Sequence, residues 1–337
     1  MLSPAQRRFR LALLALLCLV VVVWAVSVGS VQLDLIQVLQ DLLTGSPTGQ
    51  SAMDAYIFRE LRLPRAVAAF SVGGLLAMAG LLMQALLKNP LADPYILGVS
   101  GGAGLGGVAF ALLGTVGAGV LIPVGAALGA LAVIVLVFGL AQLQKVPTLE
   151  RLLLMGVSVS SLCAALVSLM LVFSDDGLFR GLVFWLMGEI NGHYWGYLLA
   201  ALGLVVLAVR PLANRLNMVA MGDELAASVG VPVQSLKWCL YWLSAVATGI
   251  AVSAGGMIGF VGLVVPHAMR LLLGTDHRVL IPAVALGGGA FLCVADTLAR
   301  TVLAPVQLPV GVVTALAGAP VFIWLLVRSG HGLRGRA

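Results

Sequence analysis

Charge is scarce in this sequence. Asp, Glu, Lys and Arg make up 9% of its 337 residues, against about 25% in a soluble domain. A water-facing surface cannot be covered with so few charges, so most of the surface must face lipid. Apolar residues reach 61% and the mean hydropathy is +1.11. A length that would suggest two soluble domains, at about 150 residues each, therefore reads as one polytopic domain spanning residues 1–337. Cysteine is equally sparse: Cys18, Cys163, Cys239 and Cys293 lie in apolar stretches without CxxC spacing, so neither a disulfide framework nor a zinc site is indicated. The net charge of +6 is scattered singly between apolar runs, so a nucleic-acid partner is not expected and a membrane with a charge bias between its faces is.

Catalytic devices are missing as well. Lys88, Lys145 and Lys237 follow Leu87, Gln144 and Leu236, so none completes the GK[ST] element of a Walker A loop. His193, His267, His277 and His331 form no HExxH pair. The run Gly102-Ala-Gly104-Leu-Gly106-Gly107 matches GxGxxG, but it sits inside an apolar helical stretch and the next acid is Glu150. A dinucleotide site needs a preceding strand and an acid about 20 residues on. Asp296 is the one clear carboxylate within a span, whereas a proton-coupled carrier usually keeps several. No enzyme activity, cofactor or resident metal is expected. The pattern is that of a passage energised from elsewhere, with a carrier driven by an ion gradient through Asp296 as the alternative.

What the sequence does hold is ten apolar stretches near the ~20 residues a spanning helix needs: Leu11–Gly29, Pro64–Leu87, Tyr95–Leu113, Gly117–Gln142, Leu152–Phe173, Tyr194–Val209, Trp238–Ala254, Met257–Leu273, Val279–Ala299 and Pro309–Val327. The expected fold is an all-α polytopic membrane protein of about ten transmembrane helices. The sixth and eighth stretches are short or broken by Gly and Pro. The apolar run Leu11–Val26 exceeds a typical signal-peptide core of about 7–15 residues, so the first stretch reads as an uncleaved helix. With the N-terminus inside, fourteen basic residues fall on the inner side and five, Arg59, Arg62, Arg65, Arg180 and Arg300, on the outer side. The bias predicts cytoplasmic termini. Outer loops also carry Asp34, Asp41 and Asp54, and Asp175 with Asp176.

The link between the sixth and seventh spans, about residues 211–237, is the longest inner segment. Within it Asp223 and Glu224 favour a helix start, Gly230 suits a left-handed C-terminal position and Pro232 stops continuation. A helix that short is marginal in water and must dock on the protein's own inner face or on a partner. On the outer side, Arg62-Leu-Pro-Arg65 opens the second span, with Pro64 suited to a first turn. Arg300 stands four residues after Asp296, so an i,i+4 ion pair is available. These arginines either snorkel to lipid headgroups or form a docking surface for an acidic partner. Gln84 to Pro94 reads as a tight inner turn. Small, weakly polar residues of the fifth span, Ser158, Ser161 and Cys163 among them, fit helix packing or the wall of a passage.

Several of these segments resemble one family. They are Arg62-Leu-Pro-Arg65, QALLKNPLAD from Gln84 to Asp93, Leu97-Gly-Val-Ser100, GMIGFVGLVVPHAMR from Gly256 to Arg270, Thr275-Asp-His-Arg278, Ala295-Asp-Thr-Leu-Ala-Arg300 and LPVGVVTALAGAPVF from Leu308 to Phe322. In this order they are similar to the FecCD-type permeases of binding-protein-dependent ABC importers, which carry iron–siderophores, heme or cobalamin. The resemblance implies the type II importer architecture in the cytoplasmic (inner) membrane: a homodimer of ten-helix subunits with the metal-chelate path along the dimer axis. It also implies two separate ABC ATPase subunits on the cytoplasmic face and a periplasmic substrate-binding protein outside. The ATPase contact maps onto Gly222, Asp223, Glu224, Leu225, Ala226, Ala227, Ser228, Val229, Gly230 and Val231, and the binding-protein contacts onto Arg62, Arg65 and Arg300. Cobalamin permeases carry a Thr-Ser pair where this chain has Thr148-Leu149-Glu150, so inner gate residues do not transfer. Phe184-Trp-Leu-Met-Gly188 looks more like the iron-chelate members.

Overall fold

The computed structural model describes residues 4–29, 38, 50–113, 118–142 and 149–333. Asp34, Asp41, Gly117, Lys145, Thr148, Arg334 and Arg336 lie outside them. Among the described residues all regular structure is helical: α1 (Pro4–Ser27), α2 (Gln50–Tyr56), α3 (Leu63–Leu87), α4 (Val99–Leu113), α5 (Ala118–Gln142), α6 (Leu149–Val172), α7 (Asp176–Leu186), α8 (Trp195–Val209), α9 (Ala213–Met221), α10 (Asp223–Ser228), α11 (Val233–Gly255), α12 (Val261–Leu273), α13 (His277–Thr301) and α14 (Val310–Leu333). Seven helical stretches among them are long and apolar enough to cross a membrane, and three shorter apolar helices, Val99–Leu113, Val261–Leu273 and Val310–Trp324, accompany them.

Helix α3 is the central post. Leu75, Leu76, Met78, Leu81, Leu82 and Met83 are fully buried, against α8, α11, α12 and α13. By contrast α1, α6 and α8 turn Leu16 and Leu19, Leu154 and Leu162, and Leu204 and Leu207 outward, as helices facing lipid do. Lipid tails are as apolar as leucine, so the helices must associate by close packing. Glycine allows it between α4 and α5. A methyl added at Gly102 would lie 2.5 Å from the Gly129 carbonyl oxygen, and one at Gly106 2.1 Å from that of Gly125. The GxGxxG run is thus half of a helix seam, with the 125/129 pair facing the 102/106 pair.

Three expected spans differ in detail. The third becomes helical only at Val99, after a 3₁₀ turn at Pro94–Leu97 capped by Asp93 and closed by Gly98 at φ 81°. The eighth starts at Val261 rather than Met257, because Gly256 and Phe260 take positive φ values of 69° and 68°. The break would leave backbone groups unpaired in lipid. The Tyr95 hydroxyl answers it, accepting from the Ile258 N–H at 2.9 Å and donating to the Ile258 carbonyl at 2.9 Å. A second gap follows from Pro266, which has no N–H for the Gly262 carbonyl. There Gln84 Nε2 donates to the carbonyls of Gly262 (3.3 Å) and Leu263 (3.2 Å), while its Oε1 accepts from Arg270. The sixth span does not stop at Val209 but continues through a 3₁₀ turn at Arg210–Leu212 into α9. Helix α7 was expected as loop; Asp175 and Asp176 open it, and Leu182 and Trp185 turn inward.

Candidate functional site

Two clusters of charge mark the opposite ends of the bundle. At one end, α3 starts and α13 finishes side by side. Asp296 is buried there and accepts from Arg65 Nη2 at 3.0 Å and Nε at 3.1 Å, and from Arg300 Nε at 2.9 Å. The i,i+4 pair available in the sequence is therefore formed, and Arg65 joins it from 231 residues away. Arg62 is buried and donates to the carbonyls of Val26 (3.2 Å) and Ser27 (2.7 Å), the last turn of α1, where carbonyls lack helical partners and cation charge is favoured. A side chain at Gly29 would lie 2.7 Å from this guanidinium. Neither lipid snorkelling nor a free arginine describes Arg62. All three arginines line a cavity of about 820 Å³, together with Glu60, Glu189 and His193.

At the other end lies the short helix. α10 runs Asp223–Ser228, with Asp223 and Glu224 in its first turn and Gly230 at φ 86° behind it. It docks on the chain itself through one carboxylate. Asp223 accepts from Lys237 Nζ at 2.7 Å and pairs with Lys88 Nζ at 2.9 Å. Lys237, with Lys88 beside it, holds the Asp223 carboxyl below the usual carboxylate range against an opposing push from burial. Ala226 and Val231 pack inward, while Met221, Leu225 and Val229 are exposed. Helix α9 had no sequence expectation. Its Asn217 reaches Asp276 and His277 at the start of α13. Burial alone would raise the Asp276 carboxyl, but Asn217, the Arg278 N–H and the Arg7 charge together hold it low.

The three small residues of α6 do not share a face. Ser158 and Ser161 are exposed and return their hydroxyls to the carbonyls of Leu154 and Val157. Cys163 is buried, its Cβ within 3.3 Å of where a side chain on Gly101 of α4 would begin. Only the serines stand on the uncovered side of α6.

Comparison with known proteins places this geometry. The sequence profile of the FecCD transport family matches residues 16–328. The hemin transport system permease protein HmuU of Yersinia pestis is 38% identical, with 96% of each chain covered. The vitamin B12 import system permease protein BtuC of Salmonella paratyphi A is 42% identical over 81% of this chain and 84% of that one. A solved metal-chelate type ABC transporter in an inward-facing conformation superposes with a TM-score of 0.83 at 29% identity, over 95% of this chain and 99% of that one. Sequence and helix order thus agree along nearly the whole chain, and it belongs to the FecCD transport family, the membrane-spanning permeases of ABC importers.

Proposed function

We propose that the chain, as a homodimer, passes a metal chelate (heme, cobalamin or an iron–siderophore) across the cytoplasmic membrane, driven by two separate ATPase subunits. The observation that carries this is the contrast between the two ends. One end presents a short helix with Leu225 and Val229 uncovered; the other gathers three arginines on one cavity, two of them paired with a buried carboxylate. The basic residues Lys88, Lys237 and Arg278 support placing the short-helix end in the cytoplasm. There Gly222–Val231 seats in the ATPase. The acidic lobes of a loaded binding protein dock at the opposite face on Arg62, Arg65 and Arg300. ATP-driven closure of the ATPase pair moves the short helices and exposes the path to each side in turn, with Ser158 and Ser161 of α6 on its wall. Cargo selection rests with the binding protein, so the path needs no tight site. The names of the relatives, hemin, vitamin B12 and metal chelate, support the cargo class.

The test is uptake by vesicles holding this chain with its ATPase and binding protein. Labelled heme, cobalamin and ferric siderophore are supplied with and without ATP. Uptake of one cargo that needs both ATP and the binding protein is expected. Uptake driven by an ion gradient alone would overturn the proposal, and with it the idea that Asp296, held by two arginines, serves only structure and docking.

A further inference from the structure

Asn214 and Asn217 stand one turn apart on α9, and a single residue, Gly222 at φ 141°, separates α9 from the short helix α10. Asn217 Nδ2 donates to Asp276 Oδ1 at 2.9 Å; its Oδ1 accepts from the His277 N–H at 2.9 Å and lies 2.8 Å from His277 Nδ1. Asn214 Oδ1 accepts from Arg278 Nε. Two amides thus grip three successive residues at the start of α13. Meanwhile Asp223 of α10 pairs with Lys88, the residue that ends α3. Both α3 and α13 are therefore held by the segment that bears the short helix.

The two helices are in close backbone contact. A methyl at Gly73 would lie 2.2 Å from the Gly288 carbonyl oxygen, and one at Gly288 2.4 Å from the Ala77 Cβ. Backbone rests on backbone, and Arg65–Asp296 staples the far end. Packed interiors of this density pass displacement on instead of absorbing it.

We infer that Asn214 and Asn217 are positioning residues for transport: they hand movement of the short helix to α13, and the α3–α13 pair carries it as one body to Arg65, Asp296 and Arg300. This rests on the proposed coupling role of Gly222–Val231. A coupling contact differs from a plain helix cap in what its loss changes. Losing a cap lowers the amount of folded transporter, whereas losing a coupling contact lowers the work obtained from each ATP.

The experiment uses the complete transporter, permease with ATPase and binding protein, in proteoliposomes. Cargo uptake and ATP hydrolysis are measured in the same vesicles for the parent, Asn217→Ala and the Asn214→Ala/Asn217→Ala pair. Basal hydrolysis per assembled complex should match the parent, while cargo moved per ATP falls about fivefold or more. An unchanged ratio would overturn the inference. Should the alanine variants fail to assemble, Asn217→Cys/His277→Cys joined by a short bifunctional thiol reagent decides it. A contact that stays closed through the cycle leaves uptake per ATP intact when bridged, and arrest on bridging overturns it. Leu225→Glu/Val229→Glu separates the two readings: if it still holds the ATPase, the coupling role of the short helix is wrong; if it sheds the ATPase while Asn217→Ala keeps its ratio, only the inference on α9 falls.

Discussion

Asp296 on α13 accepts from Arg65 on α3 at 3.0 Å, so two buried helices that meet nowhere near each other in sequence are fastened at one end of the bundle. The carboxylate is 1% exposed and its second partner, Arg300, lies 2.9 Å away. Losing one member of a buried pair leaves an uncompensated charge, which costs about 3–5 kcal/mol. Asp296→Asn should therefore lower the thermal midpoint in detergent clearly, and Arg65→Gln less, since Arg300 still holds the carboxylate. If Arg65 also meets the binding protein, Arg65→Gln should in addition weaken that complex by about tenfold, or about 1.4 kcal/mol. A parent-like midpoint for Asp296→Asn would contradict the staple.

A double-mutant cycle tests whether Gln84 answers the gap left by Pro266. Gln84→Leu strands the Gly262 carbonyl and the Arg270 guanidinium, at about 1–3 kcal/mol for a buried group left unsatisfied. In a Pro266→Ala background the restored N–H can bond Gly262, so the same change should cost less. The measurement is unfolding free energy of all four chains, and purely additive effects would show that the two residues act independently.

The α4–α5 seam gives a prediction of opposite signs. Gly106→Ala places a methyl 2.1 Å from the Gly125 carbonyl oxygen and should destabilise. Gly139→Ala meets nothing within 4 Å and should stabilise by up to about 1 kcal/mol, as expected for glycine replaced inside a helix. A midpoint for Gly106→Ala at or above that of the parent would rule out the close-packed seam.

The apolar runs disclosed the spans because lipid imposes length and hydropathy locally. Local chemistry likewise revealed α10: Asp223, Glu224, Gly230 and Pro232 are all within ten residues of one another. The eighth stretch showed interruption by Gly and Pro, but where it breaks and what answers the break were hidden, since the partner Tyr95 stands 163 residues earlier. Arg65 was unassigned as a partner of Asp296 for the same reason, whereas Arg300, four residues on, was plain. Helix α7 had a signal that went unread: Asp175 and Asp176 precede Leu178, Leu182 and Trp185 at helical spacing. Ser158, Ser161 and Cys163 show the limit of a small-residue stripe. Composition cannot tell the face that meets α4 from the face left exposed among the described residues.

The glycine seam has a consequence for how such a chain can vary over time. Most packed contacts drift by exchange, one side growing as the other shrinks. Where Gly102 and Gly106 meet Gly129 and Gly125, both sides already stand at the smallest size the genetic code offers. No second-site change on α5 can make room for a larger residue on α4. Variation along this chain must leave the seam fixed and fall on helices such as α6, whose outer residues Leu154 and Leu162 meet open space among the described residues.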